Sequence, residues 1–198
     1  MHDWSAAVLA GGRGRRLDGR IKALVDVGGR SPLTRQVAAL APLGVTPRLI
    51  APDPTPFAGL PYEVVTDVIA AGALGALYTA VVTSPTDYVL VMAGDLPFVT
   101  TSFIAALLAR RHGADAVVPR PGGRWQPLCA VYHRDVAARL RVRIEAGRWR
   151  VTEALDDLRV AAFTATDLAA FDPDGRLLLN VNTPDDLRLA IELATLER

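Results

Sequence analysis

A single cysteine, Cys129, leaves no intrachain disulfide to be formed, which fits a reducing compartment. Cys129 lies in an apolar run and reads as a core side chain rather than a nucleophile. Histidine is scarce as well: His2, His112 and His133 show neither metal-ligand spacing nor a paired partner, so they are assigned no role. Charge of one sign is not in excess. The 22 Lys and Arg set against 21 Asp and Glu leave a formal net charge of +1, so neither nucleic acid nor a membrane surface is expected as a partner. No apolar stretch nears the roughly 20 residues of a membrane span. Met1-His2-Asp3-Trp4 offers no basic region ahead of the first, short apolar run, so no signal peptide is expected. These absences together predict a cytoplasmic protein. Internal repeats and low-complexity segments are lacking too.

What remains is a globular composition, 51% hydrophobic and 22% charged over 198 residues, enough for the core of one domain spanning residues 1–198. An apolar run at 6–10 stops at glycine and predicts a buried strand. Ser31-Pro32 supplies an N-cap and a first helical position for a helix to about residue 43, with Gly44 as its stop. A strand at 45–50 follows, then a loop enforced by Pro52, Pro54 and Pro56, then a brief strand at 62–65. After a helix at 73–82, the nearly all-apolar run at 88–93 suits a strand covered on both faces. Beyond it the pattern predicts helix 101–112, strands 116–119 and 128–132, helices 135–146 and 151–158, and a short strand at 177–181. Thr183-Pro184-Asp185-Asp186 opens a final helix with a capping-box-like start. Strands and helices in alternation imply an α/β sheet with right-handed crossovers.

The richest stretch is Ala7-Val8-Leu9-Ala10-Gly11-Gly12-Arg13-Gly14-Arg15-Arg16-Leu17, with Lys22 close behind. Glycines let a backbone approach a ligand closely, loop N–H groups cradle phosphate, and Arg and Lys neutralise it. The loop is not a P-loop, because Lys22 stands between Ile21 and Ala23 and no Gly-Lys-Ser/Thr is present. Gly12-Arg13-Gly14 fits the start of the dinucleotide fingerprint, but Leu17 holds its last position, which argues against a nicotinamide or flavin enzyme. Lys22 and Arg16 are the best placed for electrostatic stabilisation, while for Arg13 and Arg15 a solvent-facing place is as reasonable. Asp95 follows the apolar strand, where ligands bind in open α/β sheets. Its carboxylate suits Mg²⁺, or else it is a turn aspartate capping the helix at Thr101. Asn180 and Asn182 alternate along a short strand, so both face one way. Their amides can donate and accept hydrogen bonds to a ligand such as a phosphate, or else hold a structural place ahead of a capped helix. Trp125 could stack on a flat ring but reads better as core packing.

Leu9-Ala10-Gly11-Gly12, Arg16-Leu17 and Lys22-Ala23-Leu24 resemble the nucleotidyltransferase signature. Within that group the chain most resembles the molybdenum cofactor guanylyltransferases of the MobA-like superfamily. The further matches, in order, are Asp67, Gly72-Ala73-Leu74-Gly75, Gly94-Asp95-Leu96-Pro97, Gln126-Pro127-Leu128-Cys129-Ala130-Val131-Tyr132 and Leu179-Asn180-Val181-Asn182-Thr183-Pro184. The resemblance implies a three-layer, Rossmann-like fold with a mostly parallel central sheet, of the GT-A-like architecture. Residues 1–119 would form a GTP-binding half and residues 120–198 an acceptor-binding half. It also implies transfer of GMP from GTP to the phosphate of molybdopterin, with or without its molybdenum, releasing pyrophosphate and depending on Mg²⁺. By the same resemblance Leu9, Ala10, Gly11, Gly12, Gly14, Lys22, Asp67, Gly72 and Asp95 bind the nucleotide. Asp95 holds the metal; Arg16, Lys22 and Asp95 are catalytic; Gln126, Asn180 and Asn182 bind the acceptor. Transient contact with molybdoenzymes or other cofactor-biosynthesis proteins is implied as well. Guanine rather than cytosine follows from Gly11-Gly12, since the cytidylyltransferase relatives usually read Leu-Ala-Ala-Gly there.

Two positions depart from the family pattern. Ile21 stands where an aspartate usually precedes the loop lysine, and Ala73 replaces a proline in a middle string that Ala76 closes. The first bears on how Lys22 is placed, the second on a loop near the base and ribose. Other readings are a small nucleotidyltransferase for CTP or another phosphorylated acceptor, a dinucleotide-dependent oxidoreductase, and a non-catalytic GTP-binding partner in molybdoenzyme maturation.

Overall fold

The computed structural model describes residues 2–12 and 16–196. Arg13, Gly14 and Arg15, and with them the expectation placed on Gly14, lie outside the described residues.

Strand β1 (Trp4–Leu9) is followed by a 3-10 turn at Lys22–Leu24 and by α1 (Pro32–Leu40). Helix α1 starts as its sequence directs: Ser31 Oγ accepts from Thr34 N at 3.2 Å, with Pro32 next in line. A 3-10 turn extends it to Leu43, and Gly44 ends it at φ +70°. Then come β2 (Arg48–Ile50), β3 (Val64–Val65), α2 (Gly72–Val82), β4 (Tyr88–Ala93) and α3 (Thr101–Ala109). The second part holds β5 (Ala116–Arg120), β6 (Cys129–His133), α4 (Ala137–Glu145), α5 (Val151–Ala154), β7 (Val160–Thr164), α6 (Ala165–Leu168) and α7 (Pro184–Thr195). The seven strands form one sheet in the order β3-β2-β1-β4-β6-β5-β7. Among these strands only β6 runs against its neighbours, β4 and β5.

The sheet is the middle of three layers, and β1 and β4 show why. Ala6, Val8, Leu90 and Met92 point to one face, where Leu33 and Leu40 of α1 and Phe103, Ile104 and Leu107 of α3 cover them. Ala7, Val89 and Val91 point to the other, under Leu74 and Leu77 of α2 and Leu140 and Ile144 of α4. A strand buried on both faces has no polar alternation, as its sequence anticipates. A smaller core of Leu17, Val25, Val27, Phe98, Val181, Ala190 and Ala194 seats α7 against the first loop and the segment after β4.

One expected strand does not form. Residues 177–181 turn and then run extended outside the sheet. Their alternation imitates a strand, but Val181 N donates to the carbonyl of Asp95 at 2.9 Å, so the segment is tied to a loop and not to a sheet edge. The last strand is instead β7, parallel to β5, where the sequence pattern suggests none. Its partly exposed Val160-Ala161-Ala162 is a weak strand signal on its own.

Candidate active site

The chain leaves β1 toward β2 and β3 on one side, then returns to place β4 on the other. That reversal puts a crevice outside the carboxyl ends of β1 and β4, where α/β sheets bind ligands. Leu9 and Ala93 are in register, so the Gly11-Gly12 loop and the Gly94-Asp95 turn leave the sheet side by side. Gly94 N donates to Leu9 O at 3.0 Å. A Cβ on Gly94 would lie 2.9 Å from Ala23 Cβ and 3.0 Å from Leu9 O, so only glycine allows this approach. At Gly11 a Cβ would meet Pro52 Cδ at 2.2 Å, which makes Pro52 part of the loop's wall.

A cleft of about 390 Å³ opens there. Leu9, Ala10, Gly11, Gly12, Lys22, Asp67, Gly72 and Asp95 all line it, so every described residue expected at the nucleotide comes together. A second cavity of about 330 Å³ adjoins it, lined by Gln126, Asn180 and Asn182, the expected acceptor residues. Asp95 lines both. Asn180 and Asn182 thus share a site although no strand presents them.

Lys22 joins the two cavities. Its Nζ donates to Asp95 Oδ2 at 3.1 Å and to Asn182 Oδ1. The 3-10 turn that carries it is tied back by Lys22 N to Gly12 O at 3.1 Å, and Ile21 packs its side chain onto the core. Ile21 therefore anchors this turn apolarly. Asn182 is held in turn by Asp186 Oδ2, which accepts from Asn182 N at 2.9 Å and Thr183 N at 2.8 Å in the capping box of α7.

Asp95 does not cap α3; Thr100 Oγ1 does, accepting from Phe103 N at 3.3 Å. Asp95 Oδ1 is buried without a hydrogen-bond partner among the described residues, and so is Asp67 Oδ1. Such atoms are costly unless something binds them. Burial in the cleft wall raises the Asp67 carboxyl above the ordinary range. Its loop is pinned by Val68 N donating to Thr79 Oγ1 of α2 at 2.9 Å. For Mg²⁺, a hard ion that keeps few protein ligands and takes phosphate oxygens, a carboxylate lining the cleft is a fitting donor. No cluster of three or more His, Cys, Asp or Glu occurs among the described residues, so Asp95 would act with substrate oxygens.

Arg16 does not join the site. Its neighbour Leu17 is fully buried in the small core, which turns Arg16 outward to an exposed position lining neither cavity. Trp125 also lines neither; it packs on the core with Arg120 over its ring at 4.5 Å. Cys129 is buried and its thiol is pushed up to about 12, which makes it inert as a nucleophile. No motif marks Val151 in the acceptor cavity, or Ile50 and Pro52 in the cleft, because an apolar wall has no signature of its own.

Known proteins share this architecture. Residues 6–159 match the MobA-like NTP transferase domain. A probable molybdenum cofactor guanylyltransferase of Chloroflexus aggregans is 35% identical over 191 residues, covering 93% of this chain and 92% of its own. The molybdenum cofactor guanylyltransferase of Desulfosudis oleivorans is 28% identical, covering 92% of each chain. The solved structure of molybdopterin-guanine dinucleotide biosynthesis protein A from Archaeoglobus fulgidus superposes with a TM-score of 0.82 at 26% identity, covering 96% of this chain and 98% of that one. A 2-C-methyl-D-erythritol 4-phosphate cytidylyltransferase from Thermus thermophilus, at 20% identity and a TM-score of 0.68 over 96% of this chain and 98% of its own, shares the fold. With the glycine loop, the paired cavities and these relatives in view, the chain belongs to the MobA-like NTP transferase family and is a nucleotidyltransferase.

Proposed function

We propose that this protein transfers GMP from GTP to the terminal phosphate of molybdopterin, forming molybdopterin guanine dinucleotide and releasing pyrophosphate. The observation that carries this reading is the meeting of two cavities at Asp95, with Lys22 bonded to both Asp95 and the acceptor-side Asn182. The names of the relatives supply the substrates, and Gly11-Gly12 is the guanylyl form of the loop. Residues 1–119 serve GTP and residues 120–198 the acceptor, across one continuous sheet.

The apolar wall of Ile50, Pro52, Ala73 and Ala76 suits the flat faces of a base. Backbone N–H groups of the Gly11-Gly12 loop and the Lys22 ammonium receive the triphosphate. Gln126, Asn180 and Asn182 hold the pterin and orient its phosphate. That phosphate is already ionised, so its oxygen attacks the α-phosphorus of GTP without a strong general base. Charge builds on the non-bridging oxygens and on the departing pyrophosphate, and alignment with electrostatic stabilisation does most of the catalytic work. Lys22 stands at the junction of the cavities to supply that charge. The Asp95 carboxylate would hold a magnesium ion, whose chemistry when bound is to offset charge on the triphosphate oxygens.

The test is Asp95→Ala in a pyrophosphate-release assay with GTP, molybdopterin and Mg²⁺. Metal-dependent turnover should be abolished while thermal unfolding stays close to that of the wild type. Near-normal turnover would remove Asp95 from the reaction.

A further inference from the structure

Gln36 lies on α1 behind the cleft and is fully buried, at 0% exposure. Its Nε2 donates to the carbonyl of Ala93 at 2.7 Å and to the carbonyl of Leu96 at 3.0 Å. Those two carbonyls bracket Gly94-Asp95, the turn that presents the cleft carboxylate. An uncharged side chain can reach both only with a primary amide, since only –NH₂ carries two donors on one atom. Gln36 Oε1 is itself buried without a partner among the described residues. An apolar side chain would avoid that cost at a core position of a helix. The polar choice is explained by what its nitrogen holds.

We propose that Gln36 is the positioning residue for Asp95, clamping the turn from behind so that its carboxylate stays presented at the cleft for a phosphate-bound metal. Without the clamp the turn gains freedom, and Asp95 can close both oxygens on the Lys22 ammonium that already holds Oδ2 at 3.1 Å. This inference rests on the reading of Asp95 as the metal ligand. Side chains that orient a ligand from behind typically change metal affinity by about 10-fold to 100-fold when removed.

Manganese(II), read by EPR, is titrated into GTP-loaded wild-type protein, Asp95→Asn and Gln36→Met, and GTP affinity is measured separately in EDTA. Gln36→Met should weaken manganese binding by about 10-fold to 100-fold and leave metal-free GTP affinity unchanged. Unchanged manganese binding in folded Gln36→Met overturns the clamp. Equal binding by wild type and Asp95→Asn overturns instead the reading of Asp95 on which the clamp rests. If Gln36→Met does not fold, the wild type decides by NMR. The Gln36 side-chain amide should exchange slowly and shift when Mg²⁺ is added to the GTP-loaded protein, and an amide that stays put under that addition overturns the proposal.

Discussion

Asp67 and Asp95 follow different strands, yet both line the same cleft, and each keeps one oxygen buried with no hydrogen-bond partner among the described residues. Burial desolvates Asp67, no cation among the described residues offsets that, and its raised pKa means that the folded state disfavours its charge. Asp67→Asn should therefore leave the midpoint of thermal unfolding at pH 7 equal or higher. GTP affinity, measured by titration, should fall by about 10-fold or more, the worth of a hydrogen bond to a charged group. Lower stability with unchanged GTP binding would contradict this. Lys22, Asp67 and Asp95 were legible in the sequence because each is a charged residue set where an apolar or glycine-rich stretch ends. Gln36 was not, since a glutamine on a helix looks the same whether it faces water or clamps a loop. Arg16 misled for the opposite reason: its spacing fits a phosphate loop, but burial of Leu17 decides which way it points.

Helix α7 acts on the site through its first turn. Its capping box joins Thr183 and Asp186, and Asp186 also receives the backbone N–H of Asn182. Thr183→Ala should cost about 0.5–2 kcal/mol of stability, read by denaturant unfolding, and should raise KM for the acceptor more than KM for GTP. An unchanged acceptor KM would show that Asn182 does not depend on the cap. The cap was legible because Thr-Pro-Asp-Asp carries its own hydrogen-bonding chemistry. Strands β1 and β4 were legible because burial on both faces leaves an unbroken apolar run. Residues 177–181 and β7 exchange places between sequence and structure: Leu179-Asn180-Val181 alternates but bonds to the Asp95 loop, while β7 is an edge strand with little to distinguish it. Which segment joins the sheet is set by tertiary contacts that local pattern does not contain.

Across the whole molecule, the sheet is continuous between residues 1–119 and 120–198, and the far edge is stapled by Asp115. Its carboxylate receives Arg139 at 2.8 Å and Arg159 at 3.0 Å, linking α4 to the start of β7. The two guanidiniums hold the Asp115 carboxyl well below the ordinary range. A depressed folded-state pKa contributes stability that is full above the unfolded value of about 4 and is lost as pH falls below it. Urea unfolding should therefore weaken as pH drops from about 4, and Asp115→Asn should be less stable at pH 7 with a flatter acid limb. An unaltered acid limb would assign the loss to other carboxylates. Neither half can complete the proposed reaction without the other, because Lys22 and Asp95 come from the first and Asn182 from the second. The most direct measurement of that claim is turnover with molybdopterin and Mg²⁺ against a panel of GTP, CTP and ATP, with the product identified by mass spectrometry. Molybdopterin guanine dinucleotide formed from GTP, in equal measure to pyrophosphate, is the predicted result. GTP binding without turnover, or a dinucleotide formed from CTP in preference to GTP, would contradict it.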